Sequence, residues 1–203
     1  MAYAAISFSA LEQPTLAKWN ILGTNDAYFN TQIGANFSSG TTSTVWWEEL
    51  GRTTLGGNAS SLTVSSIPAR KYLSLIMSWI PSGILSTQIQ FNGDTGANYS
   101  YAYSFNGAAN ALGVSQNQLF ASPNGGLALA GYSIIDFVNI TAQEKIGFGR
   151  QIDVGAAGAG SAPSRSEFSA KWANTSAQIS SVVFKTSTNN FAAGTSLIVL
   201  GHD

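Results

Sequence analysis

The chain has 203 residues, carries 9 Lys+Arg against 10 Asp+Glu, and is only 9% charged, far below the roughly 25% usual for soluble domains. Its Leu, Ile, Val and Phe content excludes disorder, and no apolar run approaches the roughly 20 residues of a spanning helix, so no membrane partner is expected. Zero cysteine and a single histidine, His202, exclude thiolate zinc sites, iron–sulfur clusters, disulfide frameworks and His-based metal centres.

A net charge of −1 lacks the basic stripe that phosphate binding requires, so nucleic acid is not an expected partner. Ser-His-Asp chemistry would need His202 to fold back into a cleft, and that residue is read as a frayed or docked terminus. The opening MAYAAISFSALEQP has no basic stretch and meets Glu12 early, which does not suggest a secretory leader. A chain of this mass removes about 70% of its unfolded surface from water on folding, enough for one core without metal or disulfide help.

Along the chain, residues 1–40 form an N-terminal arm. Leu16, Trp19, Leu22, Phe29 and Ile33 recur near a 3.6-residue period after Pro14, which predicts a helical or partly helical segment whose apolar stripe needs a cover. This stripe is the expected attachment or oligomerisation surface. From about Thr44 the period changes to two, and residues 41–203 read as one all-β domain.

Short strands are predicted at Val45 to Leu50, Leu62 to Val64, Leu73 to Trp79, Leu85 to Phe91, Tyr99 to Phe105, Ser133 to Ile140, Lys145 to Ile152, Phe168 to Ala173, Ile179 to Lys185 and Ser196 to Leu200. In the strand from Leu85, the side chains of Leu85, Thr87, Ile89 and Phe91 face a core, while Ser86, Gln88, Gln90 and Asn92 are expected to be wet. Leu73 to Trp79 is apolar on both faces, which places it centrally or under another subunit. Asn92-Gly93-Asp94, Asn106-Gly107 and Asn124-Gly125-Gly126 supply turns. Residues 154–166 read as a long exposed loop. Nine or ten such strands fit an antiparallel β-sandwich or jelly roll.

Candidate chemistry is sparse. Adjacent Glu48 and Glu49 point to opposite faces of a strand, so they cannot form the facing carboxylate pair of a glycosidase. Asp94 sits among Asn92 and Asn98, but calcium wants six to eight oxygens and several acids, so a hairpin turn is the better reading. Of adjacent Trp46 and Trp47, one indole is expected to enter the core and the other to face outward, as a ligand or subunit contact. Tyr101 and Tyr103 share that ambiguity with Tyr99, core lining standing ahead of a sugar platform. The sequons at Asn36, Asn58, Asn98, Asn139 and Asn174 are read as turn chemistry. No catalytic residue, metal or cofactor is implied.

The blocks SSLTVSSIPARKYLSLIM (60–77), IQFNGDTGANYSYAYSFNG (89–107), VNITAQEKIGFGR (138–150) and FAAGTSLIVLGHD (191–203) together resemble a β-sandwich domain of tailed-bacteriophage virion proteins. LEQPTLAKWNILGTNDAYFNTQIG (11–34) is similar to arms that open phage head and tail proteins. The resemblance implies a jelly-roll-like module, commonly a trimer, attached through its N-terminal part. A fibre generally has a long shaft, and 40 residues before a single body is short for one. The expectation is therefore a non-enzymatic decoration or cement protein on the capsid exterior, a homo-oligomer partnered by the major capsid protein or other virion proteins. The alternative is a receptor-binding tail fibre or tip adhesin for host glycans.

Overall fold

The computed structural model describes residues 46–120 and 128–203. The described residues are all-β, with no helix, in two antiparallel sheets. The larger sheet holds eight strands in the order β1 (Glu48–Thr54), β12 (Ser196–His202), β3 (Tyr72–Trp79), β8 (Gly131–Val138), β9 (Lys145–Asp153), β10 (Ser164–Trp172), β5 (Tyr99–Phe105) and β6 (Ala111–Gln116). The smaller holds four: β2 (Ser61–Val64), β11 (Val182–Thr186), β4 (Thr87–Phe91) and β7 (Leu119–Phe120). The helical arm expected over 1–40 and the turn at Asn124-Gly125-Gly126 lie outside the described residues.

The period-two pattern explains one core shared by both sheets. β3 turns Leu73, Leu75, Met77 and Trp79 inward, and β11 answers with Val182 and Phe184, all buried. Phe91 of β4 lies edge-on to Phe137 at 5.1 Å and tilted against Trp172 at 5.6 Å, which ties the two sheets together. Each such aliphatic or aromatic side chain contributes about 1.5–3 kcal/mol on full burial. β3 is apolar on both faces and is interior to its sheet, hydrogen-bonded to β12 and β8. Two turns use the positive φ that Asn and Gly accept: Asn92 at 52° with Gly93 at 69°, where the chain crosses from β4 to β5 in the other sheet rather than making the expected hairpin, and Asn106 at 48° with Gly107 at 79°, in the β5–β6 hairpin.

Several expectations need correction. The wet face assigned to β4 is dry, because Gln88 and Gln90 are both buried. β4 is flanked by β11 and β7, and Gln90 Nε2 donates to the carbonyl of Asn117 at 2.9 Å, so the chain leading into β7 covers that face. The expected loop over 154–166 ends early: β10 begins at Ser164 and pairs with Asp153 of β9. β6 and β7 were not foreseen, since ALGVSQ and LF are short and contain little alternation. β1 runs from Glu48 to Thr54, later than the apolar pair Trp46-Trp47 suggests, with a register shift between Glu49 and Gly51.

Candidate functional site

A strand in a two-sheet protein hides one parity of its side chains and wets the other, so apolar residues on both parities need a second cover. β3, β8 and β12 all have this property, and β9 carries its bulk on the outer parity alone. The inner parity of β3, β8 and β12 fills the core, while the outer parity of the four strands places Tyr72, Ile76, Ile134, Ile146, Phe148 and Leu200 on the far side of the large sheet. Phe148 is 63% exposed, and Leu112 on the edge strand β6 is 74% exposed. Register aligns the outer side chains into rows. One row reads Leu200, Ser74, Asp136, Phe148, Ser169, Ala102 and Leu112, and the next reads Ile198, Ile76, Ile134, Arg150, Glu167 and Ser104.

A hollow of about 750 Å³ opens on this face. Ser100, Ala102 and Ser169 make its low floor, between Ile146 and Phe148 on one side and Leu112 and Val114 on the other. Its far rim is aromatic: the His202 ring stacks on Tyr72 at 4.8 Å and meets Trp47 edge-on at 4.5 Å. His202 is docked as the last residue of β12, paired with Tyr72.

The sequence hides this face behind glycines. In IGFG of β9 the bulky residues point outward and Gly147 and Gly149 point inward, the reverse of an ordinary half-buried strand. A Cβ on Gly147 would lie 2.6 Å from the carbonyl oxygen of Asp136, and one on Gly149 would lie 2.6 Å from the Phe168 ring. The core rings occupy the space that inward side chains would need. This inversion was the available signal for the outer face, and periodicity alone did not identify it.

The residues expected to make contacts are dispersed. Leu16, Trp19, Leu22, Phe29 and Ile33 lie outside the described residues. Trp46 and Trp47 precede β1, so strand alternation does not govern them. Both are exposed, Trp46 by 81%, and neither enters the core as one was expected to. Tyr101 and Tyr103 turn inward on β5 and pack on Phe120 at 5.9 and 6.4 Å. Burial, with Tyr103 beside it, pushes the Tyr101 phenol above its ordinary pKa.

Glu48, Glu49, Glu144 and Asp94 have local partners. Glu48 accepts from Arg70 at 2.7 Å, Glu49 accepts from Arg52 at 2.7 Å, and Glu144 lies 3.3 Å from Lys171. Asp94 closes a turn: its Oδ1 accepts from the Gly96 amide at 2.8 Å and its Oδ2 from the buried Trp172 indole at 2.7 Å, with Asn98 donating to both oxygens. Burial pushes this carboxyl up, but the donors Trp172, Gly96 and Asn98 outweigh it and hold the group below its ordinary value. Among the described residues no group of three His, Asp or Glu side chains is placed to hold a metal ion.

Two polar side chains brace one end of the body. The Lys145 ammonium is buried and donates to the carbonyls of Gln143 at 2.6 Å and Asn174 at 2.9 Å. Asn139 is fully buried, accepting from the Ile179 amide at 2.6 Å and donating to the Arg70 carbonyl at 3.0 Å. Its sequon is structural, in a site that a glycan could not reach. Asn174 likewise spends its Oδ1 on the amides of Ser176 and Ala177.

No protein family, curated protein or solved structure matches the chain.

Proposed function

We propose that this chain is a non-enzymatic structural protein of a tailed-phage virion. On this reading it is a capsid decoration or cement protein whose two sheets form a jelly-roll-like β-sandwich, homo-oligomeric and fastened to the head exterior. The observation that carries an assembly role is the apolar outer face of the eight-stranded sheet, because monomers rarely leave so broad an apolar surface in water. The resemblance of the blocks over 60–77, 89–107, 138–150 and 191–203 supports a virion as that assembly. The arm over 1–40, through Leu16, Trp19, Leu22, Phe29 and Ile33, adds a second apolar attachment, and repeated weak contacts on a multivalent particle reinforce one another.

A tail adhesin is the second reading, favoured by the Trp47, Tyr72 and His202 rim beside the hollow. Aromatic rings stack on sugars, but a sugar also demands converging hydrogen-bond groups, and the hollow is walled mainly by Ile146, Phe148, Leu112 and Val114.

Adding the full chain to particles that lack it separates the readings. Saturable binding to heads, with a higher temperature for genome release, is expected of a cement protein. Label confined to the tail, saturable sugar binding and unchanged head stability would instead establish the adhesin.

A further inference from the structure

We infer that the outer face of the large sheet is covered by another copy of this chain, with Asp136 of one copy set beside Arg150 of the next. The inference rests on the reading of this face as an assembly surface and names what occupies it.

Charge on the face makes the first argument. Among the outward side chains of the eight strands, Glu49, Arg52 and Lys171 each have an ion-pair partner, and Arg165 lies 3.9 Å from Glu167. Asp136 and Arg150 are the outward charges that take part in no ion pair or side-chain hydrogen bond among the described residues. They stand on β8 and β9, the two central strands, in neighbouring rows: Asp136 faces Phe148 and Arg150 faces Ile134. One acid and one base side by side at the centre of an apolar field form a self-complementary pattern. A two-fold axis between two copies sets the acid of each against the base of the other when it passes midway between them, the reciprocal contact of an isologous interface. A partner of different sequence would need to supply both opposite charges at that spacing.

Area makes the second argument. Eight strands spaced about 4.8 Å span roughly 34 Å, and seven residues at about 3.4 Å extend roughly 24 Å, so the face offers on the order of 800 Å². That is about the area each partner contributes to a stable interface. Within it, an apolar centre carrying one complementary charge pair has the composition of an interface core rather than of a wet surface.

Sedimentation equilibrium of the full chain tests the inference. The wild type is expected to associate at micromolar concentration. Asp136→Arg and Arg150→Asp should each weaken association at least tenfold, and the double variant D136R/R150D should return to within about threefold of wild type. Phe148→Ser, at an exposed position, should weaken association without altering the circular dichroism spectrum, which guards against misfolding of the charge variants. A wild type that stays monomeric at high micromolar concentration, or a double variant no better than either single, overturns the inference. If the chain is monomeric but the single reversals abolish binding to particles, another protein covers the face: the inference fails and the proposed function stands. Charge-swap rescue in solution with no particle binding has the opposite meaning, supporting the copy-to-copy contact and removing the virion role.

Discussion

Replacing Asp94 with alanine removes the acceptor of a buried indole. Trp172 is fully buried and stacked on Tyr99, with 6.3 Å between centroids, and its N–H has Asp94 as its acceptor. Leaving that donor unpaired costs about 1–3 kcal/mol, and losing the bond from the Gly96 amide adds roughly 1 kcal/mol. The total of about 2–4 kcal/mol corresponds to a fall in Tm of roughly 5–15 °C for a domain of this size. Urea titration followed by circular dichroism measures it, and the pair Asp94→Ala with Trp172→Phe should show a coupling of about 1–2 kcal/mol. The same carboxyl gives a pH signature. Its folded pKa lies below the unfolded value, so its stabilisation is present above the unfolded pKa and is lost as pH falls through the folded one. Wild-type stability should therefore drop in acid more steeply than that of Asp94→Ala. A variant within 0.5 kcal/mol of wild type on the scale of ordinary surface substitutions, or parallel acid profiles, would refute the reasoning.

Gly147→Ala should destabilise by about 1–3 kcal/mol, because the new methyl meets the Asp136 carbonyl oxygen at 2.6 Å and backbone cannot swing aside; thermal melts check it, and an unchanged Tm contradicts the packing described. Tyr99 is buried and its hydroxyl accepts from the Phe91 amide at 3.0 Å. Burial pushes its pKa up to about 12, the bond with the Phe91 backbone opposing and the charge of Asp94 adding to the rise. Its stabilisation is present below the unfolded value and fades as pH climbs through the folded one, so phenolate absorbance should show a tyrosine that Tyr99→Phe deletes and that ionises last. Asn139→Ala should cost about 1–3 kcal/mol, since it leaves the Ile179 amide unpaired and removes one of the two donors to the Arg70 carbonyl, Gln178 being the other; hydrogen exchange at the Ile179 amide, faster in the variant, reports the loss.

Much of the strand pattern was legible because alternation is local. β5 matches its predicted span, and β3, expected from apolar residues on both parities to be central or under another subunit, is interior to its sheet. What failed depends on neighbours. Gln88 and Gln90 are ordinary surface residues in sequence, and only the chain around Asn117 makes them buried. The start of β10, SRSE, mixes small and charged residues whose strand state comes from pairing with β9 on one side and β5 on the other. The outer face was missed for a related reason. An ordinary half-buried strand keeps its bulk inside, whereas Phe137 and Phe168 invade the inner positions of β9 and leave Ile146 and Phe148 outside. Trp47 was noticed as an aromatic contact residue, but its place beside Tyr72 and His202 joins segments at opposite ends of the described body.

The second position in the large sheet belongs to β12, which separates β1 from β3. On the ribosome, β1 is therefore made long before β12, its one partner in the sheet, and it must wait until Ser196–His202 emerges. At about 5–20 residues per second that interval is roughly seven to thirty seconds. Glu48, Glu49 and Arg52 on the waiting strand suit this delay, since charge on an unpaired edge discourages it from joining the nascent chain of a neighbouring ribosome.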